Sequence, residues 1–224
     1  VVLLGYWAAM YFFGNQPDPY SLEGNAALKF DLFFFSPEVL YKGYGIPFDP
    51  EGLLSTLPAA VNVIAGYLAG MFIQKNGNSL STVFRLNLAG AVIIVLALFW
   101  DVVFPINKAL WTSSYTLYTI GLVMLVLAML MLVTEVAGYK KWTYFFEVFG
   151  KNPLFIYAMS ILVIKTLNFI KMDENTRLSA WLYQNWFLSW GEGEFASLMF
   201  ALCYMLLHWL LGYVMDRNRT YIRV

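Results

Sequence analysis

The sequence predicts an all-α protein: a polytopic transmembrane helical bundle of about six membrane helices, with a long non-cytoplasmic loop that carries a short interfacial helix. The first observation is composition, because 60% of the 224 residues are hydrophobic and 12% are charged, whereas soluble domains carry about 25% charged residues. The second is a series of long apolar stretches, and the third is the unequal charge of the segments between them. Most side chains are therefore expected to contact lipid or other helices.

A helix needs about 20 apolar residues to cross the bilayer core. Six apolar stretches are visible: Val1–Phe13, Leu53–Gln74, Val83–Trp100, Leu110–Val136, Pro153–Ile170 and Phe195–Met215. The last five reach that length within the usual boundary error. The first is short and opens the sequence, so we expect a truncated helix. Residues 1–224 are then expected to form a single membrane domain, the C-terminal part of a longer protein. Its expected partners are the lipid bilayer and the missing N-terminal helices of the same protein. Whether the protein also forms homo-oligomers is left open by the sequence.

The connecting segments differ in charge on the two sides of the predicted membrane. One side holds the segments Lys75–Arg85 and Lys140–Lys151 and the C-terminal tail, with eight basic and three acidic residues; the other side has five basic and eleven acidic residues. Cytoplasmic loops carry an excess of Lys and Arg, so the C-terminus is predicted to be cytoplasmic. The net charge of zero gives no indication of a nucleic-acid partner.

The tetrapeptide Asp49-Pro50-Glu51-Gly52 lies on the acidic side, directly before an apolar stretch. Asp-Pro is typical of a helix start, and an acid in the first turn complements the helix dipole. One interpretation is therefore an N-cap at Asp49 with Glu51 as a dipole partner. The other is a polar site at the membrane edge, and the sequence leaves both open.

The stretch Leu110–Val136 has a polar, aromatic end and an apolar end. One face of its first three turns carries Trp111, Ser114, Tyr115, Tyr118 and Gly121, and Asn107 and Lys108 precede it. All of them fall on the acidic side. An interfacial aromatic belt explains Trp and Tyr but not Ser and Asn, so their convergence predicts a cavity.

Asn62, Gly66 and Gly70 share one face of Leu53–Gln74. Gly66 and Gly70 match the GxxxG pattern that lets helices approach closely, so helix packing is expected for them. A polar residue in a membrane segment needs a reason, and Asn62 either joins helices or lines the cavity. The candidate substrate-binding residues are Asp49, Glu51, Asn62, Asn107, Lys108, Trp111 and Ser114.

Three further segments carry expectations. Ala26–Phe35 suits a short helix on the membrane surface, with aromatic residues in and charges out. Asn152 before Pro153 predicts an N-cap, and this helix start with Lys151 makes a candidate anion site. His208, the single histidine, makes either an interhelical hydrogen bond or a proton relay. No metal cluster, Ser-His-Asp set, P-loop or dinucleotide fingerprint can be built from the sequence.

Three ordered motifs resemble a bacterial membrane protein family related to heparan-α-glucosaminide N-acetyltransferase. They are FDPEGLLSTLP at residues 48–58, followed by Gly66 and Gly70, then PINKALW at 105–111, followed by Ser114-Tyr115, and GKNPLFIY at 150–157. The resemblance implies a multi-helix acyltransferase of the bacterial inner membrane. Such an enzyme passes acetyl from cytoplasmic acetyl-CoA to an amino sugar or glycan on the opposite face.

The resemblance also implies roles for individual residues. Asp49 and Glu51 would orient the amino sugar, while Lys151 and Asn152 would contribute to binding of acetyl-CoA as co-substrate. The family's catalytic histidine lies in the N-terminal half, and His208 does not match its motif, so no catalytic residue is assigned and this fragment alone is expected to be inactive. A sugar transporter of the N-acetylglucosamine type is the alternative function, and a structural helical subunit is a third.

Overall fold

The structure, a computed structural model, describes residues 1–173, 176–191 and 193–222. It is 68% helical, with no strands among the residues it describes. The helices, in chain order, are α1 (Val2–Phe13), α2 (Ala26–Phe34), α3 (Thr56–Asn76), α4 (Leu80–Asp101), α5 (Ser113–Met131), α6 (Thr143–Lys151), α7 (Pro153–Phe169), α8 (Leu178–Leu182) and α9 (Gly193–Arg217). Short π-helical turns extend α5 to Val136 and α8 to Phe187. The chain divides into two compact units, Val1–Tyr139 and Lys140–Val224.

Among the residues that the structure describes, four helices are long and apolar enough to cross a membrane: α3, α4, α5 with its π-helical turn, and α9. Helices α6 and α7 pass the same test only together, and they are bent by 82° at the break between them. Helix α1 is apolar but short. These helices confirm the all-helical class and indicate an integral membrane protein. By length and composition, the described ranges contain four candidate spans, or five if the bent pair is one span.

Helices α4 and α5 pack at a pair of glycines. A Cβ built on Gly90 would lie 2.9 Å from the carbonyl oxygen of Gly121, and a Cβ on Gly121 would lie 2.7 Å from that of Gly90. The two backbones therefore approach as closely as only glycine allows. The prediction that Gly66 and Gly70 make such a contact is wrong for the chain described, since nothing lies within 4 Å of either position.

The core of the first unit joins α1 and α2 to the loops that follow α2 and α4. Tyr6 and Met10 of α1 pack with Leu28 of α2 and with Phe48 and Phe104 of the loops, and all five are buried. The hydroxyl of Tyr6 also donates to the carbonyl oxygen of Leu110. Burial of each large apolar side chain contributes about 1.5–3 kcal/mol. The non-helical segments around Phe48 and Leu110 are thus fixed to the helices.

Helix α2 begins at a side-chain cap and buries an acid. The Asn25 side chain accepts a hydrogen bond from the backbone N–H of Leu28 at 2.8 Å, the usual contact of an N-cap. The short helix at 26–35 is present, but the expectation of charges out is wrong for Asp31, which is 1% exposed, whereas Phe33 is 81% exposed. Asp31 turns inward because its carboxylate accepts the N–H of Leu53 at 3.0 Å.

Candidate functional site

Two loops of the first unit enclose a cavity of about 500 Å³ before α3 and α5. Its walls are formed by Tyr41, Gly43, Tyr44, Asp49, Pro50, Glu51, Lys108 and Trp111. Four of the seven predicted substrate-binding residues, Asp49, Glu51, Lys108 and Trp111, therefore line one cavity. Sequence reasoning missed the two tyrosines, although their three-residue spacing in the loop before Asp49 was visible.

The first loop is held by Phe48 and by a turn at Asp49. The N–H of Phe48 donates to the carbonyl oxygen of Tyr41 at 2.9 Å, and its buried ring lies edge-on to Tyr44 at a centroid distance of 5.7 Å. Asp49 accepts the N–H of Glu51 through Oδ1 at 2.9 Å, an Asx-type turn. Both acids are therefore presented by a fixed backbone.

The prediction of a helix start at Asp49 and Pro50 is wrong, because α3 begins at Thr56 and has no acid in its first turn. The reason is competition for backbone groups. The N–H of Gly52 donates to the carbonyl oxygen of Asp49 at 3.2 Å, the hydroxyl of Ser55 donates to the carbonyl oxygen of Gly52 at 2.8 Å, and Asp31 accepts the N–H of Leu53. Asp49 therefore caps a turn, not the membrane helix.

The second loop presents Lys108 and Trp111 through a network around Asn107. Its side-chain oxygen accepts the N–H of Ala109 at 2.9 Å, and its own N–H donates to the hydroxyl of Thr112 at 3.0 Å. Thr112 also caps α5 by accepting the N–H of Tyr115. Asn107 thus supports the cavity from behind and is not among its lining residues.

Trp111 combines an unusual backbone with an unused hydrogen-bond donor. Its φ of 49° lies in the left-handed region, where a bulky residue is an outlier. Such backbone strain is found most often at functional sites, where the surrounding structure enforces it. The ring lies edge-on to Tyr115. The indole N–H is buried and has no hydrogen-bond partner within the described ranges. Trp111 therefore contributes an unused hydrogen-bond donor to the wall of this cavity.

The other two predicted residues are engaged in packing. Ser114 is fully buried, and its hydroxyl donates to the carbonyl oxygen of Phe104 at 2.5 Å. Asn62 joins α3 to α5, since its amide donates to the hydroxyl of Thr119 at 3.1 Å. Of the two roles left open for Asn62, the interhelical one is thus present. Its side-chain oxygen is buried without a partner among the described residues.

A second cavity of about 520 Å³ lies on the other side of Asp49 and Glu51. Both acids line it together with Gly52 and Asp31, and its remaining wall is apolar. Asp31 Oδ2 is buried with no hydrogen-bond partner in the described part of the chain. The three acids do not form a metal site, because no group of three or more His, Cys, Asp or Glu suited to a metal is found among the residues described.

The carboxylate of Asp31 also dictates glycine at position 52. A Cβ on Gly52 would lie 1.9 Å from Asp31 Oδ2, so any side chain there would displace the acid. Asp31 therefore locks the backbone of the Asp49–Gly52 turn against α2. Sequence reasoning missed this residue because it treated a charge on a surface helix as solvated.

Burial raises the pKa of Asp31, the nearby charge of Asp49 raises it further, and the hydrogen bond from Leu53 partly offsets both effects. A carboxyl whose folded-state pKa is raised binds more protons in the folded state, so folding stability falls as pH rises from about 4 through the raised pKa. We expect the melting temperature of the detergent-solubilised protein to fall over that range, and to fall less in Asp31→Asn. Equal pH dependence in both proteins would contradict this assignment.

The predicted anion site at Lys151 and Asn152 lies in the second unit, where both side chains already have partners. Lys151 forms an ion pair with Asp216 at 2.8 Å. Asn152 is fully buried, donates to the carbonyl oxygen of Thr220 at 3.1 Å and accepts the N–H of Ile222 at 2.8 Å. Asn152 occupies the N-cap position of α7 before Pro153, but its side chain makes no cap hydrogen bond. It holds the C-terminal segment instead.

The first cavity offers both hydrogen-bond donors and hydrogen-bond acceptors beside aromatic rings. Asp49 and Glu51 accept, whereas the Lys108 ammonium and the Trp111 indole donate. Tyr41 and Tyr44, which are 56% and 45% exposed, add aromatic surface. Such a set complements a small, polyhydroxylated and positively charged molecule. No family model matches the chain, and no curated protein does.

Proposed function

We propose that the chain is part of an integral membrane acyltransferase that moves acetyl from cytoplasmic acetyl-CoA to an amino sugar or glycan on the opposite face. The observation that carries the proposal is the cavity lined by Asp49, Glu51, Lys108 and Trp111. A protonated amino sugar presents an ammonium group to carboxylates and hydroxyl groups to donors and acceptors, and its apolar ring face packs on aromatic rings. The volume of about 500 Å³ is typical of small-molecule sites.

The proposal includes the orientation and the setting. The acidic loops, and with them the cavity, face away from the cytoplasm, the C-terminus lies in the cytoplasm of a bacterial cell, and about six helices reside in the inner membrane. Acyl transfer needs a base for the amine and donors for the oxyanion. Lys108 and Trp111 supply donors in the same cavity as the carboxylates, and no residue of the described chain is assigned as the base.

Acetyl-CoA binding through Lys151 and Asn152 would require both side chains to exchange their present partners. The Lys151 ammonium is held by Asp216, and both hydrogen-bonding ends of the Asn152 amide are taken by the C-terminal segment. Phosphate groups of CoA would bind there only after displacing these contacts. No step of acetyl transfer is therefore assigned to either residue.

The direct test is acetyl transfer in vesicles that contain the full-length protein in one orientation. Labelled acetyl-CoA is supplied on the C-terminal side and a panel of amino sugars, including glucosamine, on the other side. We expect label in the N-acetyl product on the far side. The rate of product formation should be at least about tenfold lower for Trp111→Phe, which removes the indole N–H but keeps an aromatic ring. Absence of sugar-dependent transfer over the whole panel would contradict the proposal.

A sugar transporter is the second candidate, and the bend of 82° between α6 and α7 favours it. Transporters place substrate sites at such broken helices. Uptake of unmodified N-acetylglucosamine into the same vesicles without acetyl-CoA would support transport and exclude the need for acetylation. Product formation that depends on acetyl-CoA, with no uptake of free sugar, would support the enzyme.

A further inference from the structure

His208 of α9 is a buried histidine with one ring nitrogen unused. The residue is 3% exposed, and its Nδ1 lies 2.8 Å from the carbonyl oxygen of Tyr204 one turn earlier. A carbonyl oxygen only accepts, so Nδ1 carries the proton, and Nε2 of the neutral ring is an acceptor. Nε2 is buried and has no partner in the part of the chain described. The expected interhelical hydrogen bond of His208 is therefore not present there.

His208 lines a cavity of about 520 Å³ within the second unit. The walls come from α6, α7 and α9 and are mostly apolar, with Phe149, Ile156 and Met205 among them. Besides His208, three lining residues carry hydroxyl groups: Tyr157, Ser160 and Tyr204. The cavity is therefore an apolar recess that contains a neutral hydrogen-bond acceptor. An isolated polar group in such surroundings costs about 1–3 kcal/mol if it stays unpaired.

None of the hydroxyl groups that line this cavity pairs with Nε2 in the described part of the chain, and two of them donate their hydrogens elsewhere. The hydroxyl of Tyr204 donates to the carbonyl oxygen of Ser160 at 2.5 Å. The hydroxyl of Ser160 donates to the carbonyl oxygen of Tyr157 at 2.7 Å. The oxygens of these two hydroxyl groups and Nε2 remain as acceptors, and the hydroxyl of Tyr157, the third in the wall, makes no hydrogen bond to Nε2. Nε2 therefore complements a ligand that donates a hydrogen bond.

We infer that this cavity binds a membrane lipid with a free hydroxyl group, which donates its hydrogen bond to His208 Nε2. The bilayer is the source, because α6 and α7 together have the length and composition of a membrane span and their outer apolar side chains, such as Leu154 and Leu162, are exposed. The volume holds the hydroxyl-bearing head and the first part of an acyl chain. This site lies in the second unit and does not depend on the acyltransferase proposal.

His208 is the single histidine of residues 1–224, so in NMR spectra of protein labelled with ¹⁵N-histidine its ring nitrogens are the signals that disappear in His208→Phe. Full-length protein would be studied in phosphatidylcholine nanodiscs, with signals from any upstream histidine identified by their persistence in His208→Phe. The probe is 1,2-dioleoylglycerol, and the matched control is its 3-O-methyl ether, in which a methyl group replaces the hydroxyl hydrogen and removes the donor. We expect dioleoylglycerol to shift the unprotonated Nε2 signal towards that of a hydrogen-bonded nitrogen while Nδ1 stays protonated.

Equal shifts with the alcohol and the ether, or no shift with either, would overturn the inference. So would an Nε2 signal that is already hydrogen-bonded before lipid is added, because another chain segment would then occupy the cavity. Binding of dioleoylglycerol should weaken about fivefold to tenfold in His208→Phe, as expected for one lost hydrogen bond, and less in His208→Gln, whose amide oxygen can accept. Equal affinity in both variants and the parent protein would also exclude the proposed contact.

Discussion

Replacement of both cavity acids by amides, Asp49→Asn with Glu51→Gln, is expected to weaken glucosamine binding about 100-fold. Hydrogen bonds to charged groups contribute about 1.5–3 kcal/mol each, and about 1.4 kcal/mol corresponds to a factor of ten in affinity. The shape of the loop should survive, because the amide oxygen of an asparagine can still accept the N–H of Glu51 that Asp49 accepts now. Titration calorimetry of the detergent-solubilised full-length protein measures the effect.

The matched control is Glu23→Gln with Glu38→Gln. These two acids belong to the loop region of the same unit and are exposed, and neither lines the cavity. The control removes the same two charges, so it reports any effect of the overall field. Equal loss of affinity in both double variants would show that the cavity acids do not contact the sugar. A second comparison uses N-acetylglucosamine, whose uncharged nitrogen should bind more weakly than the ammonium of glucosamine and should be less sensitive to the change.

The convergence of Asp49, Glu51, Lys108 and Trp111 could be predicted from sequence because topology determines it. Asp49, Glu51 and Lys108 lie just before an apolar stretch and Trp111 lies at the start of one. Both stretches are predicted to enter the membrane from the same side. Residues at adjacent helix ends then meet without any knowledge of side-chain packing. The same logic gave the all-helical class and the approximate bounds of the long helices, since apolar length is a strong signal.

The role of Asp31 could not be predicted in this way, because it depends on a hydrogen bond between residues far apart in sequence. Asp31 and Leu53 are 22 positions apart, and no local pattern shows that the N–H of Leu53 lacks a partner. The same contact explains the wrong helix start, since Asp-Pro suits a turn as well as a first helical turn. The close helix contact was predicted at Gly66 and Gly70 for a related reason. The GxxxG pattern describes one helix only, whereas close packing also needs a small residue on the partner helix. Gly90 has such a partner in Gly121.

Substitution of Gly121 by alanine is expected to destabilise the first unit strongly, because the added methyl group would meet the backbone of α4. The new Cβ would lie 2.6 Å from Ile94 Cγ1 and 2.7 Å from the carbonyl oxygen of Gly90. A side chain can rotate away, but a backbone carbonyl cannot move unless α4 shifts as a whole. Overpacking costs about 1–3 kcal/mol, and we expect the upper end of that range, since the obstacle is backbone. For a domain of this size, this corresponds to a fall of about 6–12 °C in melting temperature.

Gly70→Ala is the matched control because the same methyl group is added to a membrane helix where the space is open. Alanine is about 1 kcal/mol more favourable than glycine within a helix, so the control should leave the melting temperature unchanged or raise it. The two substitutions thus have opposite expected signs, although their chemistry is identical. A fall for Gly70→Ala as large as that for Gly121→Ala would mean that the GxxxG face meets another helix in the assembled protein. If neither substitution lowered stability, α4 and α5 would not be held by the contact between Gly90 and Gly121, and their close approach would need another cause.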